Sequence, residues 1–435
     1  MDITISGAKN SALPLLAIPC LCHSEIHYLN MPNISDVDIM CEFLKVLQFR
    51  IIRDTDKIKI LPHTLFLEDN FRIQSTATIR ASYYFFGTLV HYKTKIVHPP
   101  IGGCNLGDRN IAFHQIFFQL LGVSIIIEKD AVIVDATDFC FTKSIQYTFP
   151  KISVGGTINA IFAGVIGEGE ILLYNYSKDM YVFDVVEVLN ALGAEICIRE
   201  SHIYIKRQKK LERPKLLYDI KVDPINTGTA ILFAALSQSN HVHFHNPNLD
   251  WLGKAKEILT QCGITLVDNK IATITSLRKF DITTENYPGF YTDLMPLFCI
   301  LASRIGNCSV KEKIYNNRFQ FAQELKKLNF NFELVHNNVI HISKCELGFN
   351  GNSIELSAPD LRGGVALLLA SCMILEKFHQ KQIVMKDFSY IQRGYDNIER
   401  LTGLFHVKIN KTGNSAILRH RDFSKPISLH SGSRT

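Results

Sequence analysis

The sequence predicts an α/β protein of two similar lobes, each assembled from three copies of a βαβαββ module. Three observations carry this. A short helix, apolar nearly all round with Ser, Thr, Gly, Asp or Arg at its start, occurs six times along the chain. The copies recur at a spacing of roughly seventy residues, too long for a solenoid repeat but right for a supersecondary module. And 435 residues exceed what one hydrophobic core supports, so two domains of about 200 residues are expected.

The elements follow in order. Asp2-Ile3-Thr4-Ile5 reads as a short strand, a turn through Lys9-Asn10 follows, and Ser11 to Ala17 reads as a small apolar helix with Pro14 placed in its first turn. Glu25-Ile26-His27-Tyr28-Leu29 alternates as a strand does, Ser35-Asp36 offers a cap, and the spacing predicts a helix over 37–47. A hairpin over 50–53 and 57–60 closes the module. Counterparts of the first helix lie at 80–87, 155–163, 227–235, 292–298 and 362–368. Amphipathic counterparts of the second lie at 182–192, 252–261, 319–328 and 395–401. Helices apolar all round belong inside and amphipathic ones outside. The sheets therefore surround buried helices.

Composition narrows the function classes. With 47% hydrophobic and 20% charged residues the chain is an ordinary globular protein, and its net charge of +6 is not gathered into a basic arm. That argues against nucleic acid as partner and suits an enzyme of anionic small molecules. Eleven cysteines without C-x-x-C pairs point to reduced thiols and a cytoplasmic protein. The most apolar runs fall short of a membrane span, and no signal peptide is expected.

The loop Pro99-Pro100-Ile101-Gly102-Gly103-Cys104-Asn105-Leu106-Gly107-Asp108-Arg109 is the densest chemical signal. Its glycines let backbone lie close against a ligand, and a guanidinium near a thiol favours the thiolate. The plain alternative is a surface turn with an incidental cysteine. If the polar helix starts converge between the lobes, their unpaired N–H groups form a field for anions.

Together the repeat and the loop resemble the UDP-N-acetylglucosamine enolpyruvyl transferases, within the EPSP synthase superfamily, over nearly the whole chain. The matching segments begin with Ile5-Ser6-Gly7-Ala8-Lys9-Asn10, Ile79-Arg80-Ala81-Ser82, Gly102-Gly103-Cys104, Gly107, Arg109 and His114. They continue with Lys151-Ile152-Ser153-Val154-Gly155, Asp223, Thr227-Gly228-Thr229, Thr292-Asp293, Asn317-Arg318-Phe319, Asp360-Leu361-Arg362 and Arg393-Gly394-Tyr395. The resemblance implies two inside-out α/β barrels closing over UDP-N-acetylglucosamine and phosphoenolpyruvate, without metal or organic cofactor, in a monomer. It implies crossed boundaries: one lobe over 9–221, the other over 1–8 and 222–425, with 426–435 a disordered tail.

It also implies roles. Cys104 resembles the proton donor for C3 of phosphoenolpyruvate, on a mobile loop, and the site that fosfomycin alkylates. Lys9 resembles a phosphoenolpyruvate contact, with Asn10 beside it. Arg80, Arg109, Arg362 and Arg393 match arginines that hold phosphate, carboxylate or diphosphate, for which a planar guanidinium fork is suited. Asp293 fits the base or orienting group for the attacking hydroxyl, with a helix N-cap as its other reading. Asp360 and Asp223 are expected to position Arg362 and the lobe crossing. Lys151, Ile152, Ser153 and Val154 match the stretch receiving the nucleotide diphosphate, and Ile314 a backbone contact to the sugar nucleotide. Asn110, Ile111, Ala112 and Phe113 replace the family's Pro-Val-Asp-Leu and so remove a carboxylate on the uracil side. Met180-Tyr181-Val182-Phe183-Asp184 stands for Pro-Glu-Ile-Val-Asp, and Pro224 and Asn226 replace an arginine and a glutamate. The N-terminus starts about a dozen residues late against the family pattern, which predicts the loss of a strand and an open sheet edge in the second lobe. Two other functions fit the same residues: transfer to shikimate 3-phosphate, against which the Gly-Gly-Cys loop speaks, and a drifted protein that only binds sugar nucleotide.

Overall fold

A computed structural model describes the chain apart from residues 74–78, 101, 103–111, 238–241, 269, 275–276, 397 and 422–435, and the side chains of 112–114 and 270–274. Among the described residues, strands form six four-stranded sheets. Each has the same order: the module's first strand, its second, its fourth, its third. In the sheet of Ile145–Thr148, Glu170–Tyr174, His202–Lys206 and Glu195–Ile198, the first pair is parallel and the other two antiparallel. A parallel pair needs a crossover, which here is the buried helix Val154–Val165. The hairpin strands need only a tight turn.

Two of the six modules borrow their first strand across the chain. Lys215–Asp219 pairs parallel with Glu25–Leu29, completing the first module with residues from after the third. Asp2–Ile3 pairs parallel with His243–Phe244 and completes the fourth. The short strand read at the opening of the sequence is therefore present. Asp2–Ile3 occupies the place that first strands take in the other five sheets.

The buried side chains divide the same way. One hydrophobic cluster draws on residues from Ala8 to Ile220, and the other on Ile3, Ile5 and residues from Ile225 to Leu418. The chain crosses between them twice, side by side. Ala8 N–H donates to the Lys221 carbonyl at 2.8 Å and Asp223 N–H to the Ser6 carbonyl at 3.0 Å. Gly7 is required at this crossing, because a Cβ there would lie 2.1 Å from the Asn30 carbonyl oxygen.

The first helices are buried as their composition dictates: in Val154–Val165 and Pro224–Leu236 nearly every residue is inaccessible. The second helices Ser35–Val46, Lys254–Gln261 and Gln320–Lys326 bury one stripe and cover the outside. Two local readings are corrected. Pro14 lies near the end of the helix Lys9–Leu15, not in its first turn, and the chain continues as the 3-10 turn Ile18–Leu21. Ser35 and Asp36 do not cap: Ile34 holds the cap position without a side-chain bond, and Asp36 lies inside the first turn. None of the described helices is long and apolar enough to cross a membrane.

Candidate active site

The polar helix starts do converge. A cavity of about 400 Å³ lies between residues of the two hydrophobic clusters, lined by the beginnings of helices from both. Lys9 and Asn10 open the helix Lys9–Leu15, Arg80 opens the 3-10 turn Arg80–Tyr83, and Arg362 lies in the first turn of Leu361–Lys377. Lys151, Ile152, Ser153 and Val154 line it at the start of Val154–Val165, where Ser153 caps by accepting from Gly156 N–H at 3.1 Å. Gly155 there lies against the Tyr83 hydroxyl, with no room for a Cβ. Asp293, Ile314 and Arg393 complete the set of expected residues that the structure brings together. Lys9, Arg80, Lys151, Arg318, Arg362 and Arg393 thus face one space, a setting for anions, while N–H groups at three of the helix starts are already taken by Asp223, Ser153 and Asp360.

Two charge clusters organise it. In the first, the buried Asp36 carboxylate joins Lys9 and Arg393: Lys9 Nζ lies 2.7 Å from Oδ2, and Arg393 Nε 2.8 Å from Oδ1. Lys9 also donates its backbone N–H to Asp223 Oδ2 at 3.2 Å. Burial pulls the Lys9 ammonium below its ordinary value, more than Asp36 restores, and the charges of Arg362 and Arg393 add to the fall. Burial pushes Asp36 up, but Lys9 and Arg393 outweigh it and hold the carboxyl below the usual range.

In the second, Asp293 lies between two arginines. Its Oδ2 accepts from Arg362 Nε at 3.1 Å and Nη2 at 3.0 Å, and its Oδ1 from Arg318 Nη2 at 3.3 Å. The helix that follows is Met295–Ile305, capped at Leu294 without a side-chain bond. So the N-cap reading of Asp293 falls. Burial works against the Arg362 charge, but Tyr395, Asp293 and Asp223 outweigh it and hold the guanidinium firmly protonated.

Other roles shift. Asp360 does not hold the Arg362 guanidinium: it caps the helix by accepting from the N–H groups of Arg362 and Gly363 and pairs with Arg318 at 3.3 Å. Asp223 likewise caps Pro224–Leu236 beside the crossing. Ile314 N–H is committed to the buried Glu312 carboxylate at 2.6 Å, which leaves its carbonyl for a ligand. Glu312 also accepts from Thr292 Oγ1 at 2.7 Å, tying the loop of Ile314 to the residue before Asp293.

Cys104, Arg109, Asn110 and Ile111 lie outside the described residues. Ala112 and Phe113 begin the helix Ala112–Leu120, with their side chains outside the description. The stem before this segment is fixed: His98 ends the strand Lys95–His98, is buried against Phe43 and Phe86, and bonds the Pro99 carbonyl. Burial, only partly offset by that bond, lowers His98 to about 4, so it is neutral at physiological pH.

Residues without a role in the sequence reading also line the cavity: Asp36, Asp179, Tyr181, Tyr291 and Arg318. Tyr181 takes a place where a carboxylate was expected and is buried at the start of Met180–Ala191. For Asp36 the expected result is specific. Asp36→Asn leaves Lys9 and Arg393 facing each other without their counter-charge, costing on the order of 3 kcal/mol. Added inorganic phosphate should then raise Tm more in the variant than in the parent. In the parent the contribution of Asp36 is present above about pH 4 and is lost as pH falls through its lowered folded value. Equal Tm values and equal phosphate shifts contradict the bridging role.

Known proteins share this architecture. The family model described as EPSP synthase (3-phosphoshikimate 1-carboxyvinyltransferase) matches residues 1–401. A UDP-N-acetylglucosamine 1-carboxyvinyltransferase of Caldanaerobacter subterraneus is 32% identical over 405 residues, covering 91% of this chain and 93% of its own. One from Haemophilus ducreyi is 29% identical over 423 residues, covering 95% and 96%. Among solved structures, the enolpyruvyl transferase NikO from Streptomyces tendae superposes with a TM-score of 0.79 at 20% identity, covering 93% of this chain and 94% of that one. EPSP synthase from Acinetobacter baumannii gives 0.60 at 16% identity, covering 85% and 88%.

Proposed function

The chain belongs to the EPSP synthase family of 1-carboxyvinyl transferases, and from that premise we propose its acceptor, its donor and its working residues. It transfers the enolpyruvyl group of phosphoenolpyruvate to the 3-hydroxyl of UDP-N-acetylglucosamine and releases phosphate. One observation carries this reading: a carboxylate suited to a hydroxyl, Asp293, shares one cavity with the cation pair Lys9 and Arg393 at converging helix starts. The relatives of about 30% identity supply the substrate names.

The reaction needs an acid, a base and cations. Phosphoenolpyruvate carries a phosphate and a carboxylate, and Lys9, Arg393 and Arg109 hold them. Asp36 keeps Lys9 and Arg393 near each other until the anion arrives. Arg362 and Arg318 hold Asp293 so that one oxygen faces the sugar hydroxyl and takes its proton as the oxygen bonds to C2. Cys104 gives a proton to C3, which completes a tetrahedral adduct. Loss of a C3 proton then re-forms the double bond as the C2–O bond to phosphate breaks. Arg80, Asn10, Ile314 and the 151–154 stretch receive the sugar nucleotide, and residues 110–113 border its uracil side.

In this reading residues 9–221 form one inside-out barrel, residues 1–8 with 222–425 the other, and the cavity is the cleft between them. The protein works as a cytoplasmic monomer on soluble substrates. It makes the first committed precursor of peptidoglycan, which ties it to cell-wall growth, cell shape and division, and it is a target of fosfomycin. The test is phosphate release from phosphoenolpyruvate with UDP-N-acetylglucosamine or shikimate 3-phosphate as acceptor.

A further inference from the structure

Outside the residues that line the cavity, three metal-ligating side chains meet at the strand that opens the chain. Asp2 is the register partner of His243, across the parallel pair of Asp2–Ile3 and His243–Phe244. Strand alternation places His243 and His245 on one face, and Ile3 and Phe244 on the other, where they are buried. Asp2 Oδ1 lies 3.5 Å from His243 Nδ1 and 3.6 Å from His245 Nε2. One ligand atom from each residue falls within 4.8 Å of the others.

We propose that Asp2, His243 and His245 form a site for a divalent transition-metal ion of the zinc class, which clamps the opening strand to its sheet. The spacing fits. Zinc bonds imidazole nitrogen and carboxylate oxygen at about 2.0–2.1 Å, so two ligands at tetrahedral angles stand about 3.4 Å apart. The two histidine rings meet edge to face, with centroids 4.8 Å apart and planes at 83°, so that different ring nitrogens reach the same carboxylate. The backbone beneath is fixed: His243 N–H donates to Met1 and His245 N–H to Ile3, each at 3.0 Å. Asn246 and Ile5 exchange two bonds of 2.8 Å just beyond. Two imidazoles and a carboxylate select zinc, copper, nickel or cobalt over magnesium and calcium, and leave a position for water.

The consequence is structural. Among the described residues two register pairs join the opening strand to its sheet, and that strand leads through Ile5 and Ser6 to the crossing that delivers Lys9. A metal ion bound in the folded state alone stabilises it by mass action.

The experiment titrates the whole chain with zinc sulfate by calorimetry and with cobalt(II) by visible absorption. One equivalent should bind, the cobalt spectrum should show d–d bands without a thiolate charge-transfer band, and zinc should raise Tm by about 2 °C or more. His243→Gln, His245→Gln and Asp2→Asn should each weaken binding by at least about tenfold and keep the metal-free turnover. Three results overturn the proposal: no binding at about 0.1 mM metal, equal binding by parent and variants, or a charge-transfer band that places the ion on cysteines.

Discussion

Cys104→Ser abolishes turnover near neutral pH, while Cys104→Asp retains activity that declines as pH rises. The argument is one of acid strength. A protein thiol titrates near pH 8.5, whereas a serine hydroxyl is far too weak an acid to protonate C3 on the reaction's timescale. A carboxylic acid can donate if the closed site raises its pKa, but the acid form is then consumed as pH rises. Fosfomycin should modify the parent on Cys104, faster with UDP-N-acetylglucosamine present, and leave both variants unmodified. Intact-mass analysis reads the adduct, and a pH–rate profile reads the acid. A Ser variant that turns over like the parent removes Cys104 from the reaction. An inactive Asp variant that still binds both substrates gives the thiol a role other than proton donation.

Asp293→Asn lowers turnover by a factor of a hundred or more and changes UDP-N-acetylglucosamine binding by less than about tenfold, since general-base contributions are of that size. The amide keeps the shape and one acceptor but cannot take the hydroxyl proton. It also removes the charge that Arg318 and Arg362 share, so Tm should fall too, although Asp360 and Asp223 remain beside these arginines. The two effects separate in the kinetics. An ion-pair role alone predicts a lower Tm with near-parental turnover in the folded enzyme, and that outcome takes Asp293 out of the catalytic set.

The architecture was legible because it is periodic. Helices apolar all round, such as the one through Gly155 and Thr157, have no stable place except inside, and six of them at equal spacing fix six modules. The short opening strand was also legible from Ile3 and Ile5, but its pairing was not: the partner, His243–Phe244, lies 241 residues on.

The site divides along a similar line. Lys9, Asp293, Arg362 and Arg393 stand in motifs that survive intact, so they could be read. Asp36 could not. In sequence it is an acidic residue in the first turn of an amphipathic helix, the place where helix dipoles favour a carboxylate in any protein. Its meaning comes from Arg393, 357 positions away. Arg318 stood in a matching segment, but only folding places it between Asp293 and Asp360. Asp360 acts at a level the motif did not show. It was expected to position Arg362, and it does so through the backbone N–H groups of Arg362 and Gly363 at the helix start, while its guanidinium partner is Arg318. Tyr181 shows the limit in the other direction: its position beside the cavity followed from the motif, but what a buried phenol does there in place of a carboxylate did not.

The central claim is the reaction itself, and the most direct measurement is phosphate release from phosphoenolpyruvate by the purified chain, with the sugar product weighed by mass spectrometry. The account predicts release that depends on UDP-N-acetylglucosamine, one phosphate for each enolpyruvyl sugar nucleotide formed, and none with shikimate 3-phosphate. Release with shikimate 3-phosphate instead, or no release above background in folded protein that binds UDP-N-acetylglucosamine, contradicts it.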